Sequence, residues 1–272
     1  MGAAPYDPRR YWQSTLDGSA DEAGTAYPWL PVGVNRALYR RWTQQMRSVL
    51  AAHDVSARGR AVLDVGAGVG FMLDIWRSQE PAELTAIDFA SAAVEQLTRR
   101  FPDVSVDLAD IGDPTAPFTR VFDLVSAANV LLHVVDGGRF ANALANIAAM
   151  LRDGGVFVAI EPVTTHTYRL AGGGNSAART RAEWRAALAA AGLRLDATHP
   201  LTALLANPAD TRLRSEYRLL ELHWRAFERL SCRVPRAAVA YARMVTPLDR
   251  GLCSLGYAPS SKVLVAHRVS RA

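Results

Sequence analysis

Hydrophobic and polar positions alternate in blocks through the middle of the chain, between residues 60 and 162. Short, continuously apolar runs predict five strands there, at 60–65, 83–88, 104–110, 121–130 and 156–163. Segments in which apolar residues recur every three or four positions predict helices at 70–79, 91–101 and 138–155, the last ending at a glycine pair. Helices that join consecutive strands indicate parallel β–α–β units, and apolar strands indicate a sheet covered on both faces.

The regions on either side of this block have a mainly helical pattern. Before it we predict helices at 7–16 and 35–53, separated by an ordered loop at 26–35. After it we predict strands at 193–201 and 260–269, with mostly helical sequence at 208–258. The predicted division is therefore a helical and aromatic cap at 1–57, a core at 58–207, a helical insertion at 208–258 and a final core strand at 259–272.

Composition narrows the classes of function that remain. The chain has 272 residues, half of them hydrophobic, which suits one large α/β domain with added elements. The net charge is +5, but the arginines are spread in pairs and Lys262 is the only lysine, so no basic stripe for nucleic acid is expected. Cys232 and Cys253 lack metal-ligand spacing, so no metal is expected. Without an apolar segment of membrane length, we expect a cytoplasmic protein that does not bind membranes.

The turn after the first predicted strand carries the clearest chemical signal, the sequence AVLDVGAGVGFML at 61–73. Glycines between a strand and a helix let the backbone approach a ligand closely. A dinucleotide fingerprint would need a small residue at position 71, where Phe71 stands, and a phosphate loop would need a lysine. The acid Asp64 beside Gly66, Ala67 and Gly68 would repel a pyrophosphate and instead suits a ligand with a cationic end.

Two further acids follow the next two predicted strands. Asp88 ends the second strand, where a carboxylate can accept hydrogen bonds from both hydroxyls of a ribose. Asp110 follows the third strand and can accept from an adenine amino group, with Phe89 or Ile111 beside the ring. Carboxyl ends of parallel strands meet at one edge of a sheet, so these groups are expected to share one site.

On these motifs, together with NVLLHV and LRDGGVFVAIEP, the chain resembles the class I S-adenosylmethionine-dependent methyltransferases, over roughly residues 55–200 and the last strand. The resemblance implies a Rossmann-like, seven-stranded, mostly parallel sheet with helices on both faces and an antiparallel last strand. It implies S-adenosyl-L-methionine as cofactor and S-adenosyl-L-homocysteine as product. The implied cofactor residues are Asp64, Gly66, Ala67, Gly68, Asp88, Phe89, Asp110, Ile111, Asn129 and Val130.

The motifs also bear on the methyl acceptor. The tetrapeptide typical of DNA amino-methylating enzymes and the paired glutamates of protein arginine methyltransferases are both absent from the sequence. This leaves the small-molecule branch of the superfamily, with methyl transfer to oxygen expected on a neutral or acidic, partly aromatic metabolite or glycan intermediate. His133 is the first candidate for a general base, and Glu161 and His166 follow the fifth strand as further candidates. Two alternatives stay open, a non-methylating reaction such as a cyclisation and a binding module without turnover.

The two flanking regions are the candidates for the acceptor pocket. They carry aromatic side chains beyond what short helices can bury alone, and we expect them to meet above the strand ends, where they would shield the reaction from water. The glycine-rich loop at 171–175 would serve as a hinge. The alternative is that these regions pack on the back of the sheet or form a dimer interface, and both monomer and homodimer remain open. The expected acceptor-binding residues are Tyr11, Trp12, Tyr27, Trp29, Tyr217 and Trp224.

Overall fold

The computed structural model describes residues 11–13, 15, 27–115, 118–165 and 175–270. Residues 11–13 and 15 are helical, in agreement with part of the helix predicted at 7–16. His166 and positions 171–174 of the glycine-rich loop lie outside the described residues.

A seven-stranded sheet forms the centre of the molecule. Its strands are β1 (Ala61–Val65), β2 (Glu83–Asp88), β3 (Ser105–Leu108), β4 (Phe122–Ala128), β5 (Leu151–Glu161), β8 (Leu193–Pro200) and β9 (Lys262–Arg268). The order across the sheet is β3-β2-β1-β4-β5-β9-β8. Strands β1 to β5 are parallel, and β9 is antiparallel to both neighbours. The expected sheet with an antiparallel last strand is confirmed.

Helices cover both faces of this sheet. They are α1 (Val32–Ala52), α2 (Phe71–Arg77), α3 (Ser91–Arg100), α4 (Gly137–Met150), α5 (Arg181–Ala190), α6 (Arg214–Arg233) and α7 (Pro235–Ser254). A small second sheet pairs β6 (Val163–Thr164) with β7 (Arg179–Thr180). In the part of the chain that the structure describes, none of the helices is both long and apolar enough to cross a membrane.

Two predicted boundaries are wrong. Helix α1 begins at Val32, inside the expected loop, because the carbonyl of Pro31 already accepts from the amides of Val34 and Asn35. Helix α4 ends at Met150, before the glycine pair, and the next strand begins at once with buried Leu151, paired with Phe122. The glycines instead make an irregularity within β5, where a Cβ on Gly155 would lie 2.8 Å from the carbonyl oxygen of Arg152.

The N-terminal helix and the α6–α7 hairpin pack together as one layer. The apolar stripe of α1, formed by Leu38, Trp42, Met46 and Leu50, is fully buried. A buried ion pair fixes α1 to α7, with 2.7 Å between Arg41 Nε and Asp249 Oδ2. The other oxygen of Asp249 accepts from the Thr202 hydroxyl and from two backbone amides, so both charges of the pair are satisfied. The exact division of the chain into cap, core and insertion stays a prediction.

Candidate cofactor and acceptor site

The acid of the glycine turn lies at the end of β1, under a cavity at the carboxyl edge of the sheet. Asp64 is buried, and its Oδ1 accepts from the hydroxyl of Ser126 on the neighbouring strand at 2.6 Å. Burial raises the pKa of Asp64 to about 7, against the lowering effect of the Ser126 hydrogen bond and with a further increase from Asp88. The described residues contain no cationic partner for it, so a cationic ligand group would complete this site.

The turn after Asp64 requires glycine for a steric reason. Gly66 has a φ of +62°, and a Cβ there would lie 2.5 Å from the side chain of Val130. The amides of Gly66 and Ala67 both donate to the carbonyl of Ile87, which locks the turn against β2. The loops after β1 and β4 can therefore approach each other only when position 66 has no side chain.

Asp88 ends β2 and holds the two turns together. One carboxylate oxygen accepts from the amide of Gly68 at 2.9 Å and the other from the amide of Ala90 at 3.0 Å. Burial raises the pKa of this carboxyl, while the backbone hydrogen bonds lower it. Each oxygen has a second lone pair, so the group can still accept from two ribose hydroxyls. Asp88 thus has a structural role that sequence reasoning missed.

The expected adenine side lies in an adjoining cavity of about 390 Å³, lined by Phe89, Asp110, Ile111 and Val130 among others. Asp110 accepts from the amide of Gly112 at 3.0 Å and from the guanidinium of Arg139 at 2.7 Å. Its charge is therefore already balanced, although its oxygens can accept further hydrogen bonds. Arg139 was not expected here, and its position in α4 gave no signal in the sequence.

The loop after β4 carries Asn129, Val130 and His133 to the same edge. Asn129 has a φ of +56°, a left-handed conformation that is strained for a residue with a side chain. Both Asn129 and Val130 line the cavity above Asp64. A short 3-10 helix, Leu131–His133, follows and directs the imidazole of His133 to the boundary between the two cavities.

The imidazole of His133 has a defined tautomer. Its Nδ1 lies 2.7 Å from the carbonyl oxygen of Asn175, and because a carbonyl only accepts, Nδ1 carries the proton. Nε2 is then an unprotonated acceptor, without a hydrogen-bond partner among the described residues. Burial lowers the pKa of His133, although the Asn175 contact opposes this. The ring is therefore neutral at physiological pH.

Glu161, which was expected to face the ligand, is not among the described residues that line either cavity. Its side chain is buried beneath the His133 loop and accepts from the amides of Val130, Leu131 and Leu132 at 3.1, 2.7 and 2.8 Å. Burial raises the pKa of Glu161 to about 8, against the lowering effect of these amides and of Arg179. Both of its oxygens are thus committed to the backbone, which makes Glu161 a positioning residue.

Arg179 holds the same loop from the other side. Its guanidinium donates to the carbonyls of Leu131 and Val134 at 3.0 and 2.6 Å, and it lies 3.5 Å from the ring centre of Phe140. The amides of the His133 loop are thus held by the buried carboxyl of Glu161, and its carbonyls by the half-buried guanidinium of Arg179. Sequence reasoning missed Arg179, because nothing in the pattern around the glycine-rich loop marks it.

Of the expected acceptor residues, Trp12 lies at the site. It lines the cavity above Asp64, and its ring meets that of His133 edge to face, with 4.9 Å between centroids. Tyr11 packs on Trp12 from the solvent side and is 36% exposed. Three further aromatic side chains of the cavity wall were not expected, namely Tyr39, Trp42 and Phe71.

The other four expected acceptor residues lie elsewhere. Trp224 is buried between Tyr27 and Phe227, where the helical pattern alone would have placed it. Trp29 is 59% exposed and donates from its indole nitrogen to Glu228. Tyr217 is half-buried on α6 and, like Tyr27 and Trp29, is not among the residues that line the cavity above Asp64. Tyr27, Trp29 and Trp224 contribute to the contact between residues 27–30 and the α6–α7 hairpin.

Comparison with known proteins agrees with this arrangement. Residues 62–155 match a family model described as a methyltransferase domain. A search of curated proteins found no match. Residues 62–155 are therefore similar to a methyltransferase domain, and the sheet has the class I S-adenosylmethionine-dependent methyltransferase fold.

Three solved structures show the extent of the likeness. A protein described as a methyltransferase, in complex with the Haloferax volcanii Trm112 methyltransferase activator, is 18% identical, with a TM-score of 0.60 over 96% of this chain and 98% of that one. Magnesium protoporphyrin IX methyltransferase from Synechocystis, with bound S-adenosylmethionine, is 14% identical, with a TM-score of 0.57 over 98% and 100%. The [4+2]-cyclase SpnF is 19% identical, with a TM-score of 0.51 over 84% and 81%. At such identities the likeness establishes the fold alone.

Proposed function

We propose that the protein transfers a methyl group from S-adenosyl-L-methionine to a hydroxyl oxygen of a small molecule. The observation that carries this proposal is the unprotonated Nε2 of His133, which lies at the boundary of a cavity whose floor is the buried carboxyl of Asp64. A base and a cation-binding acid within one enclosed cavity are what methyl transfer to a protonated oxygen requires.

The residues present fit the cofactor. Asp64 would bind the ammonium of the methionine end, and Asp88 would accept from the ribose hydroxyls. Phe89 and Ile111 would flank the adenine, with Asp110 near its amino group. The bound cofactor supplies a methyl carbon activated by a sulfonium sulfur. The buried acids would give a pyrophosphate ligand no compensating cation, which favours this cofactor over a dinucleotide.

The proposed work of the protein is alignment and one proton transfer. The acceptor hydroxyl would lie beside His133, and its proton would pass to Nε2 as the oxygen takes the methyl group. S-adenosylmethionine would supply that methyl group, and the electrons of its carbon–sulfur bond would stay on sulfur. The Asn175 carbonyl continues to accept from Nδ1, which stabilises the imidazolium that results. Trp12 covers the imidazole and excludes water that would otherwise disturb the alignment.

The aromatic wall supports a small acceptor. Trp12, Tyr39, Trp42 and Phe71 surround a partly enclosed cavity, and such cavities typically hold flat, largely apolar ligands. The wall is equally compatible with a non-methylating reaction such as a cyclisation, which the fold of the [4+2]-cyclase makes the second candidate. A cytoplasmic location and the absence of nucleic-acid and membrane partners stay predictions.

The test is transfer of a labelled methyl group. The protein is incubated with deuteriomethyl S-adenosylmethionine and a set of phenols and alcohols, and both the acceptors and S-adenosylhomocysteine are followed by mass spectrometry. We expect one acceptor to gain a deuteriomethyl group on oxygen, in equal amount to the S-adenosylhomocysteine formed. An acceptor that changes structure without gaining label would instead support the cyclisation. Binding of the cofactor with no turnover of any acceptor would support a binding module.

A further inference from the structure

A second cavity, of about 440 Å³, opens beside the proposed active site. It lies between α1, α2 and the end of α3, and it shares Tyr39 and Phe71 with the cavity above Asp64. These two aromatic rings, whose centroids are 5.0 Å apart, therefore contact both cavities. A ligand that lies along them would bring one end towards the second cavity.

Four arginines line this second cavity, which we call the arginine cavity: Arg36, Arg40, Arg47 and Arg100. Among the described residues that line it, the only carboxylate is Asp74, which lies 2.5 Å from a guanidinium nitrogen of Arg100. The remaining three arginines lie on one face of α1. The described lining of the arginine cavity therefore contains more cationic than anionic side chains, close to the proposed reaction centre.

Two of these guanidinium groups are available to a ligand. Among the described residues Arg40 has no hydrogen-bond or ion-pair partner. The contact of Arg47 is a neutral one, a hydrogen bond of 3.2 Å to the hydroxyl of Ser78. Within the described ranges neither arginine is paired with an acid, although guanidinium groups bind carboxylates and phosphates through two parallel hydrogen bonds.

The aromatic wall adds an independent observation. Trp42 is only 4% exposed and lines the cavity above Asp64, and its indole nitrogen has no hydrogen-bond partner in the part of the chain that the structure describes. Buried indole N–H groups normally find an acceptor. An oxygen-bearing ligand against this wall would supply one.

We infer that the methyl acceptor is a flat, largely apolar molecule that carries a carboxylate or phosphate, and that Arg40 and Arg47 bind this anionic group. Its body lies along Tyr39, Trp42 and Phe71, and its hydroxyl faces His133. This inference rests on the proposed function, since it names the class of acceptor for the same site.

The test measures the binding of three probes to protein saturated with S-adenosylhomocysteine. The probes are para-hydroxyphenylpropanoate, its neutral methyl ester and para-hydroxyphenethyl phosphate, titrated by calorimetry. The Arg40→Ala/Arg47→Ala variant is compared with Arg218→Ala/Arg229→Ala, which removes the same charge from exposed positions of α6. Affinity of the parent protein for S-adenosylhomocysteine is measured first.

We expect the parent and the α6 variant to bind at least one anionic probe about tenfold more tightly than the ester, on the scale of one charge-assisted contact. The Arg40/Arg47 variant should lose this preference while its affinity for the ester and for S-adenosylhomocysteine stays the same. The anion that binds more tightly, carboxylate or phosphate, identifies the group on the natural acceptor. Three results would overturn the inference. They are equal affinity of the parent for the anionic probes and the ester, an equal loss of anion affinity in both variants, and no binding of either anionic probe. Failure of S-adenosylhomocysteine itself to bind would instead overturn the proposed function.

Discussion

The two halves of the proposed active site are built from different parts of the chain. The cofactor half consists of backbone turns and buried carboxylates at the ends of β1, β2 and β4, fixed by hydrogen bonds of 2.6 to 3.0 Å around Asp64 and Asp88. The acceptor half consists of aromatic side chains from the N-terminal segment, α1 and α2. The cofactor half is formed by residues close together in the sequence, whereas the acceptor half is brought together by tertiary packing. Substitutions in the cofactor half should therefore weaken cofactor binding, and substitutions in the acceptor half should lower turnover.

The largest effect is expected at His133, where the two halves meet. Loss of a general base typically costs about 10² to 10⁴ in rate, so His133→Gln should lower kcat by this factor while the Kd for S-adenosylhomocysteine stays the same. The control is His223→Gln, since His223 bonds to Tyr241 on the hairpin. Because burial lowers the pKa of His133, kcat at saturating cofactor should fall with decreasing pH only below the ordinary histidine pKa near 6.5. A variant that keeps the parental kcat would exclude His133 as the base.

The second effect belongs to the cofactor half alone. Asp88→Ala removes the acceptor for two ribose hydroxyls, and the expected loss is about 1.5–3 kcal/mol of cofactor binding. It also leaves the amides of Gly68 and Ala90 unpaired, so the melting temperature should fall, which sequence reasoning did not foresee. Asp88→Asn retains one acceptor oxygen, so it should lose less cofactor affinity and less thermal stability than Asp88→Ala. Cofactor affinity equal to that of the parent in Asp88→Ala would place the ribose elsewhere.

The third effect is a pH dependence of cofactor affinity. The pKa of Asp64 is about 7 in the free protein, and an ammonium beside it would lower that value. Binding then requires loss of a proton below pH 7, so the Kd for S-adenosylhomocysteine should rise by up to about tenfold per pH unit as pH falls. Asp64→Asn should flatten this dependence. Calorimetry at pH 6 and pH 8 tests this pH dependence. A Kd of the parent protein that does not change with pH would contradict a contact between Asp64 and the ammonium.

The smallest effect is expected from a substitution in the acceptor half, and it should change turnover but not cofactor binding. Trp12→Ala opens the cavity over His133, and we expect kcat/KM to fall about tenfold, the scale of one lost aromatic contact, with little change in cofactor affinity. Tyr11→Ala is the matched control on the solvent side. Deleting residues 1–30 is a less specific test, because it would also remove Tyr27 from its packing against Trp224. If both single variants turned over normally, the N-terminal segment would not be a lid.

The same contrast explains what the sequence could predict. The positions of Asp64 and Asp88 at the carboxyl edge of the sheet were predictable, because strand, acid and turn follow one another within a few residues. Glu161 was misplaced because its position at a strand end does not reveal that its side chain turns under the next loop. Trp42 was missed because the apolar stripe of α1 predicts burial without identifying the neighbours, and Tyr39 because it lies outside that stripe. Trp224 was misassigned because its size made it a candidate for the pocket, whereas it packs between Tyr27 and Phe227.

Calorimetric titration of the protein with S-adenosylmethionine, S-adenosylhomocysteine and NAD tests the central claim most directly. The account predicts that both sulfur compounds bind with micromolar Kd, a free energy of about −8 kcal/mol, and that NAD does not bind. Binding of NAD with no binding of either sulfur compound would contradict it.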